Sequence, residues 1–313
     1  MSMVKSKRVC TAAFVVGLII VSLYGRSPTA SENASAGTLT TTKIVFASNS
    51  QGNLDLLTMR PDGTGGKQLT SGAADDREPD WSSDGSRVVF TSNRDGDFEI
   101  YSVKGDGTAL RQLTHNSAHD RHPAYSANGR TIYFVSDLHG PHFQLYAISV
   151  DGSGLKQLTD FKGDVKHPSC SRDGLWIVFQ SDIDTGIKRT QEIYKMHPDG
   201  TGLARLTHNQ YHDKVPVFSP DGRTITFQSL RDGNYELYRM RSDGSEQTRL
   251  TNSPGKDKRT NWSPDGKKIV FQSTRTGHWE IFTMNPAGTQ QVQLTSGSHN
   301  SNMPKWSGYL KQK

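Results

Sequence analysis

The sequence is organised by one internal repeat of about 44 residues. A Leu-Thr pair recurs six times, with spacings of 44, 45, 48, 44 and 44 residues, at Leu69-Thr70, Leu113-Thr114, Leu158-Thr159, Leu206-Thr207, Leu250-Thr251 and Leu294-Thr295. A unit of this length cannot bury an apolar face alone, so neighbouring copies must pack on one another. The period therefore predicts a repeat architecture over most of the chain.

Each unit has the pattern of four short β-strands joined by tight turns. In one unit we expect strands at 79–82, 88–92, 98–103 and 111–114, because apolar residues alternate there in short runs. Asp-Gly pairs such as Asp84-Gly85 and Asp106-Gly107 separate strands and tolerate the positive φ of hairpins. Six four-stranded antiparallel units without a helical stretch predict an all-β fold, a six-bladed β-propeller around a central channel.

The two ends of the chain predict how the ring closes. The first unit begins at its second strand, 43–48, without an inner strand before it. After the sixth Leu-Thr pair, the segment 303–307 repeats the inner-strand pattern of 78–82 and the repeat stops. We therefore expect the C-terminal strand to complete the first blade and to remove the open sheet edge.

The N-terminus predicts export. Lys5, Lys7 and Arg8 precede an uncharged stretch at 9–25, and Ala34-Ser35-Ala36 offers a cleavage site of small residues. We predict that 1–36 is a secretory signal peptide and that 37–313 is the propeller, located in the periplasm or outside the cell. An uncleaved membrane anchor is the alternative, because an apolar run of about 17 residues is at the lower limit for a span.

Charge and cysteine content argue against a nucleic-acid-binding protein and against a disulfide-stabilised domain. The full sequence has 37 Lys and Arg residues and 31 Asp and Glu residues. Cleavage would remove four of the basic residues and one acidic residue, Glu32, and would leave 33 Lys and Arg against 30 Asp and Glu. No run of five basic residues remains, so we expect no nucleic-acid binding, and membrane contact only through an uncleaved N-terminus. Cys170 would be the remaining cysteine, so core packing and not a disulfide must hold a monomeric domain.

The repeat resembles a known family. Segments 218–222 (Phe-Ser-Pro-Asp-Gly), 262–266 (Trp-Ser-Pro-Asp-Gly) and 231–238 (Arg-Asp-Gly-Asn-Tyr-Glu-Leu-Tyr) resemble the WD40-like Tol repeat of TolB-like propellers, and the resemblance covers 43–307. It implies a six-bladed propeller that binds a protein or peptide partner in the cell envelope. The same repeat occurs in peptidase accessory domains and some polysaccharide lyases, so it specifies fold more than function. TolB carries a further α/β domain in front, so the resemblance is confined to the propeller.

Histidines concentrate at one predicted end of the propeller. Ten of the 11 histidines fall at the end of the outer-to-inner crossovers, and only His197 falls at the Asp-Gly hairpin end. Longer polar crossovers alone would also produce this bias. The crossovers lead into the inner strands, so one ring of residues should approach the channel mouth: Glu78, His122, His167, Val215, Arg259 and Met303. A second ring further out comprises Asp75, His119, Asp164, His212, Lys256 and Asn300.

Carboxylates that recur in nearly every unit indicate a structural role and not a catalytic one. One column contains Asp76, Asp120, Asp213 and Asp257, and another contains Asp55, Glu99, Glu192, Glu236 and Glu280. A catalytic group is needed once, whereas one repeated in each blade typically satisfies a backbone donor or bridges to the next blade. The turn 93–97 superficially resembles a calcium loop, but it lacks the distal bidentate glutamate and recurs without acids at 274–277, so we predict a plain hairpin turn.

These features predict an exported, non-catalytic binding module without a cofactor. Its candidate ligand-binding residues are Glu78, His122, His167, Arg259, His119, His212 and Asp164. The alternative is a carbohydrate-active or metal-dependent lyase or hydrolase that holds an acidic saccharide, or a divalent metal, at the histidine-rich mouth. The sequence does not identify a metal, and it contains no nucleophile elbow, phosphate-binding loop or His-Glu-x-x-His motif.

Overall fold

The structure, a computed structural model, describes residues 41–184 and 190–308. Within those ranges 24 strands form six antiparallel sheets of four strands each, without a helix, so the predicted all-β six-bladed propeller is confirmed. The predicted signal peptide, 1–36, lies outside the described residues. No helix long and apolar enough to cross a membrane occurs in the two described ranges.

The sheets are numbered as blades 1 to 6, beginning with the one that contains β1, and each has an inner, a second, a third and an outer strand. The inner strands are β4 (Asp76–Trp81), β8 (Asp120–Tyr125), β12 (Val165–Cys170), β16 (Asp213–Phe218), β20 (Asp257–Trp262) and β24 (Ser301–Trp306). The second strands are β1 (Ile44–Ser48), β5 (Arg87–Ser92), β9 (Thr131–Ser136), β13 (Ile177–Ser181), β17 (Thr224–Ser229) and β21 (Ile269–Ser273).

The remaining strands form the periphery. The third strands are β2 (Asp55–Met59), β6 (Glu99–Lys104), β10 (Gln144–Ser149), β14 (Glu192–Met196), β18 (Glu236–Arg241) and β22 (Glu280–Met284). The outer strands have two residues each: β3 (Lys67–Gln68), β7 (Arg111–Gln112), β11 (Lys156–Gln157), β15 (Ala204–Arg205), β19 (Thr248–Arg249) and β23 (Val292–Gln293).

The hydrophobic core lies between the blades. Side chains alternate along a strand, so Val88 and Phe90 of β5 belong to the cluster shared with blade 1, whereas Val89 belongs to the cluster shared with blade 3. All three are fully buried. Covering both faces of every sheet in this way explains why the second strands are continuous runs of apolar residues.

The repeated Leu-Thr pair ends each outer strand. Leu113 is buried, and the Thr114 hydroxyl accepts the Ile100 N–H at 2.9 Å and donates to Glu99. The same threonine-to-backbone bond occurs in the other five blades. Because the threonine side chain replaces the next ladder bond, β7 stops at Gln112 and not at 114 as expected from the sequence.

The ring closes as predicted. The C-terminal β24 pairs antiparallel with β1, from Ile44 opposite Trp306 to Ser48 opposite Ser301. The same strand also bonds to blade 6, because the Trp306 N–H donates to Asn261 Oδ1 at 2.8 Å. Pairing of the two chain ends therefore leaves blade 1 with four strands, like its neighbours.

The structural interpretation of the repeated carboxylates is confirmed. Glu99, Glu192 and Glu236 accept backbone N–H bonds at 2.6, 2.9 and 2.8 Å from Asn116, Asn209 and Ser253 respectively. Asp76, Asp213 and Asp257 bind the guanidinium groups of Arg94, Arg231 and Arg275 respectively, at 2.9, 2.8 and 2.6 Å. These carboxylates fix the turns at the crossover end of the propeller.

Candidate functional site

A β-bulge in every inner strand turns one side chain toward the central channel. In blade 2 the pairing of β4 with β5 shifts register between Arg77 and Asp80, and the other blades have matching shifts. The six bulge residues have φ between 51° and 55° and line one cavity; they form what we call the channel ring, which comprises Glu78, His122, His167, Val215, Arg259 and Met303. Positive φ is rare outside glycine, so its sixfold recurrence marks the bulge as part of the blade.

Neighbouring blades hold the channel ring by its backbone. The N–H groups of Val215, Arg259 and Met303 donate to the side-chain oxygens of Gln180, Gln228 and Gln272 respectively, at 2.8, 3.1 and 2.7 Å. In blade 2 the glutamine position is Thr91, and Glu78 Oε2 accepts the His122 N–H at 3.0 Å. Glu78 therefore substitutes for the missing glutamine.

The channel ring brings together four of the predicted site residues. His122 Nε2 lies 2.8 Å from Glu78 Oε1, and a terminal nitrogen of Arg259 lies 3.9 Å from the same oxygen. The His167 ring packs against the His122 ring with centroids 3.6 Å apart. The side chains of Glu78, His122 and Arg259 are only 12, 11 and 23% exposed, so the charges interact in a poorly hydrated space.

Burial and neighbouring charges set the protonation of the channel ring. Burial raises the pKa of Glu78, but His122 and Arg259 oppose it, and the pKa falls to about 2. Burial lowers the pKa of His122 and lowers that of His167 further. At neutral pH Glu78 is thus ionised and accepts Nε2–H from a neutral His122. That tautomer leaves His122 Nδ1 as a buried acceptor without a partner among the described residues.

The channel ring also limits what can enter the channel. The open space at this level is about 40 Å³. One water needs about 10–15 Å³ of such space, so a few waters fit and a sugar ring does not. A ligand larger than water that approaches from the crossover end must therefore bind above the channel ring.

The other candidate site residues hold the crossovers. Asp164 Oδ1 accepts the Phe143 N–H at 3.1 Å, and His212 Nδ1 accepts the Gln191 N–H at 3.2 Å. His119 is half exposed, and its Nδ1 lies 3.2 Å from a carboxylate oxygen of Asp137. In the part of the chain that the structure describes, these three candidates are outside the lining of the channel, because each is engaged where one blade passes into the next.

Sequence reasoning missed the column directly before the channel ring. Five of its six positions are basic, and we call this set the basic crown: Arg77, Arg121, Lys166, Lys214 and Lys258. The sixth position is Asn302. The signal was present in the sequence as a Lys or Arg directly before the ring residue in five of six units.

Aromatic rings lie beneath the basic crown. The Arg121 guanidinium lies 4.2 Å from the centroid of Phe98, and the Lys166 ammonium lies 5.2 Å from that of Phe143. Lys258 lies over Tyr235 at 4.0 Å. These rings remain partly exposed, so the mouth combines cations with accessible apolar surface.

Much of the positive charge at the mouth is not neutralised. Arg77 and Lys166 pair with Asp75 and Asp164 respectively, at 2.5 and 2.7 Å. Arg121, Lys214 and Lys258 form no ion pair with any described residue. Burial, together with Lys256, Arg259 and Lys214, lowers the pKa of Lys258 to about 8. A bound anion would relieve this repulsion, so the mouth favours anionic ligands.

The described residues contain a convergent group of metal-ligating side chains outside the lining of the channel. The carboxylates of Asp95, Asp97 and Glu99 have oxygen atoms within 4.8 Å of one another. The imidazoles of the channel ring do not belong to that group.

Acid should destabilise the propeller below about pH 6.5 through His167. Burial lowers the His167 pKa well below 6.5 in the folded protein, whereas the unfolded chain binds a proton near that value. The free energy of unfolding should therefore fall with decreasing pH, by up to about 1.4 kcal/mol per pH unit for this group. Urea unfolding between about pH 7 and 5 should show a shallower slope for His167→Gln than for the wild type. The exposed His208→Gln is the control, and equal slopes in the two variants would contradict the assignment.

A family model described as the TolB beta propeller domain matches the chain over residues 32–210 and 201–311. No curated protein is similar enough in sequence to match the chain.

Solved structures share the fold at low sequence identity. TolB from Acinetobacter baumannii is 18% identical with a TM-score of 0.74, over 85% of this chain and 66% of that one. The putative TolB from Agrobacterium tumefaciens is 20% identical with a TM-score of 0.67, over 85% of this chain and 98% of that one. Oligogalacturonate lyase from Vibrio parahaemolyticus is 15% identical with a TM-score of 0.54, over 81% of this chain and 72% of that one. This chain spans about two thirds of the Acinetobacter protein, and such identities support the fold alone.

Proposed function

Since the chain belongs to the TolB beta propeller domain family, we propose that it is a non-catalytic binding module of the cell envelope that receives an acidic peptide segment of a protein partner. The observation that carries this proposal is the basic crown, in which Arg121, Lys214 and Lys258 lack counter-ions among the described residues. Its location in the periplasm or outside the cell rests on the predicted signal peptide.

The mouth combines the two features that protein interfaces use for affinity. Partly exposed rings such as Phe98 and Tyr235 offer rigid apolar area, and the cations above them select for acidic side chains. Glu78 adds no free negative charge to the floor, because the Arg259 guanidinium offsets its charge and the neutral His122 donates a hydrogen bond to it. An acidic peptide would thus lie across the mouth without meeting a like charge at its centre.

The channel ring supports binding over catalysis. His122 is bonded to the Glu78 carboxylate and not to a hydroxyl or thiol, so the pair that activates a nucleophile is not assembled. The open space of about 40 Å³ at the channel ring holds a few waters and no sugar ring. An acidic saccharide is the second candidate ligand, since its carboxylates would also suit the basic crown.

Charge reversal in the basic crown should abolish most of the binding. We expect Lys214→Glu/Lys258→Glu to weaken binding of a labelled Glu/Asp-rich peptide by about tenfold or more, because two attractions become repulsions. Fluorescence anisotropy at about 0.05 and 0.3 M salt would measure it, and the wild-type affinity should fall as salt rises.

The matched control makes the same charge change at the opposite end of the propeller. Arg223→Glu/Lys267→Glu alters exposed cations near the Asp-Gly hairpins and should leave peptide affinity unchanged. Equal loss in both double variants, or no peptide binding by the wild type, would overturn the proposal. Binding of oligogalacturonate in place of the peptide, with loss in the crown variant only, would select the saccharide candidate.

A further inference from the structure

Paired carboxylates at the boundary between two blades are balanced by arginine in three of four cases. Between blades 5 and 6, Glu236 binds Arg249 at 3.0 Å and Asp257 binds Arg275 at 2.6 Å. Between blades 4 and 5, Glu192 and Asp213 bind Arg205 and Arg231 respectively, at 3.1 and 2.8 Å. Between blades 1 and 2, where Asp55 meets Asp76, Arg94 lies 2.9 Å from Asp76.

The boundary between blades 2 and 3 is the exception. Its carboxylates are Glu99 and Asp120, both fully buried, and the positions of the two arginines are occupied by Gln112 and Leu138. Asp120 contacts the Glu99 carboxylate, yet its Oδ1 has no hydrogen-bond partner among the described residues. Two buried carboxylates without a cation between them repel each other when both are ionised.

Further acidic oxygens converge on the same place. Asp95, Asp97 and Glu99 alternate on one face of the turn and the start of β6, and their nearest oxygens lie within 4.8 Å of one another. Within the described ranges Asp97 forms no hydrogen bond or ion pair, whereas Gln112 donates to Asp95. The group therefore has free acceptors and no positive charge of its own.

Blade 5 provides an internal comparison. Its counterparts of Asp95, Asp97 and Glu99 are Asp232, Asn234 and Glu236, and Arg249 lies between the two acids at 3.3 and 3.0 Å. The Asn234 amide donates to the carbonyls of Ser253 and Gly255, both at 2.9 Å, which a carboxylate cannot do. The boundary between blades 2 and 3 thus has one more carboxylate than the boundary between blades 5 and 6 and two fewer guanidinium groups.

Arg94 does not supply the missing charge. Its guanidinium lies 4.9 Å from the Tyr101 ring centroid, but its terminal nitrogen binds Asp76. Arg231 of blade 5 does the same with Tyr238 and Asp213. The arginine is therefore common to both blades and cannot account for the difference between them.

We propose that Asp95, Asp97 and Glu99 bind a calcium ion, with Asp120 of the next blade behind them, in place of the two arginines that balance the boundary between blades 5 and 6. A set of ligands made only of oxygens suits a hard divalent cation. The limit of 4.8 Å between oxygens is about twice a Ca–O distance of 2.3–2.6 Å. Asp95 is exposed, so water completes the coordination from the solvent side.

Calcium titration of the full chain tests this proposal. Isothermal titration with CaCl₂ should show one site, and calcium should raise the midpoint of thermal unfolding relative to chelator. Asp97→Asn, which copies blade 5, should weaken calcium binding by about tenfold or more, and Gln112→Arg should abolish binding while raising the midpoint in chelator.

The control adds the same carboxylate where arginine is retained. Asn234→Asp in blade 5 should not create a second calcium site, because Arg249 occupies the space between its neighbours. Asp97 and Gln112 are not buried, so both variants should fold, and circular dichroism verifies this. Absence of any calcium response in the wild type, or unchanged calcium affinity in Gln112→Arg, would overturn the proposal.

Discussion

A chain that ends at Asn300 should fail to form the propeller. It would lack β24, the inner strand of blade 1, and β1 would lose its partner from Ile44 to Ser48. Blade 6 would lose the bond from the Trp306 N–H to Asn261. Since the whole domain is stabilised by only about 5–15 kcal/mol, removal of one inner strand and of contacts to its neighbours should exceed that margin.

The matched control is a chain that ends at Gly308, which keeps all of β24. Urea unfolding, followed by near-ultraviolet circular dichroism of the tryptophans, should show one cooperative transition for the control and none for the shorter chain. A cooperative transition at a similar midpoint in both chains would show that closure by β24 is not required.

Loss of the Glu78 carboxylate should be the most costly single substitution in the channel. Glu78→Leu should lower the free energy of unfolding by about 3–5 kcal/mol, because Arg259 would be a buried charge without a counter-ion. The His122 N–H would also lose its acceptor. Urea unfolding at neutral pH would measure the change.

The double variant Glu78→Leu/Arg259→Leu separates charge from packing. Its loss of unfolding free energy should be smaller than the sum of the losses in the two single variants, because the uncompensated charge is removed together with its partner. Met303→Leu conserves volume in the same ring and should cost less than about 1.5 kcal/mol. A loss of under 1 kcal/mol for Glu78→Leu, or strict additivity in the double variant, would contradict the charge argument.

The proposed calcium site and the basic crown share one short segment. Phe98 lies between Asp97 and Glu99 in the chain, and its ring carries both Arg77 and Arg121, at 5.3 and 4.2 Å. A cation held by the flanking carboxylates would fix the position of that ring. The two proposals therefore describe neighbouring parts of the crossover end.

Most of the fold can be predicted from the local sequence. The Leu-Thr period, the Asp-Gly turns and the two incomplete ends predict six blades and closure by β24, because each repeat forms the same hydrogen bonds and packs only on its neighbours. The structural role of the repeated carboxylates also follows from their recurrence. The four ring residues Glu78, His122, His167 and Arg259 were identifiable because strand direction fixes which end of each strand meets the channel.

The tertiary structure alone decided how the departures from the repeat combine. It placed His212 and Asp164 in hydrogen bonds that hold the crossovers, and at the level of the channel ring it narrowed the channel to the volume of a few waters. It also placed Asp120 beside Glu99, which completes an acidic group that a linear motif at 93–97 does not contain. The sequence determines the repeated blade, because each blade packs only on its neighbours. A binding site depends on distances between side chains of different blades, and those distances are set only when the ring has closed.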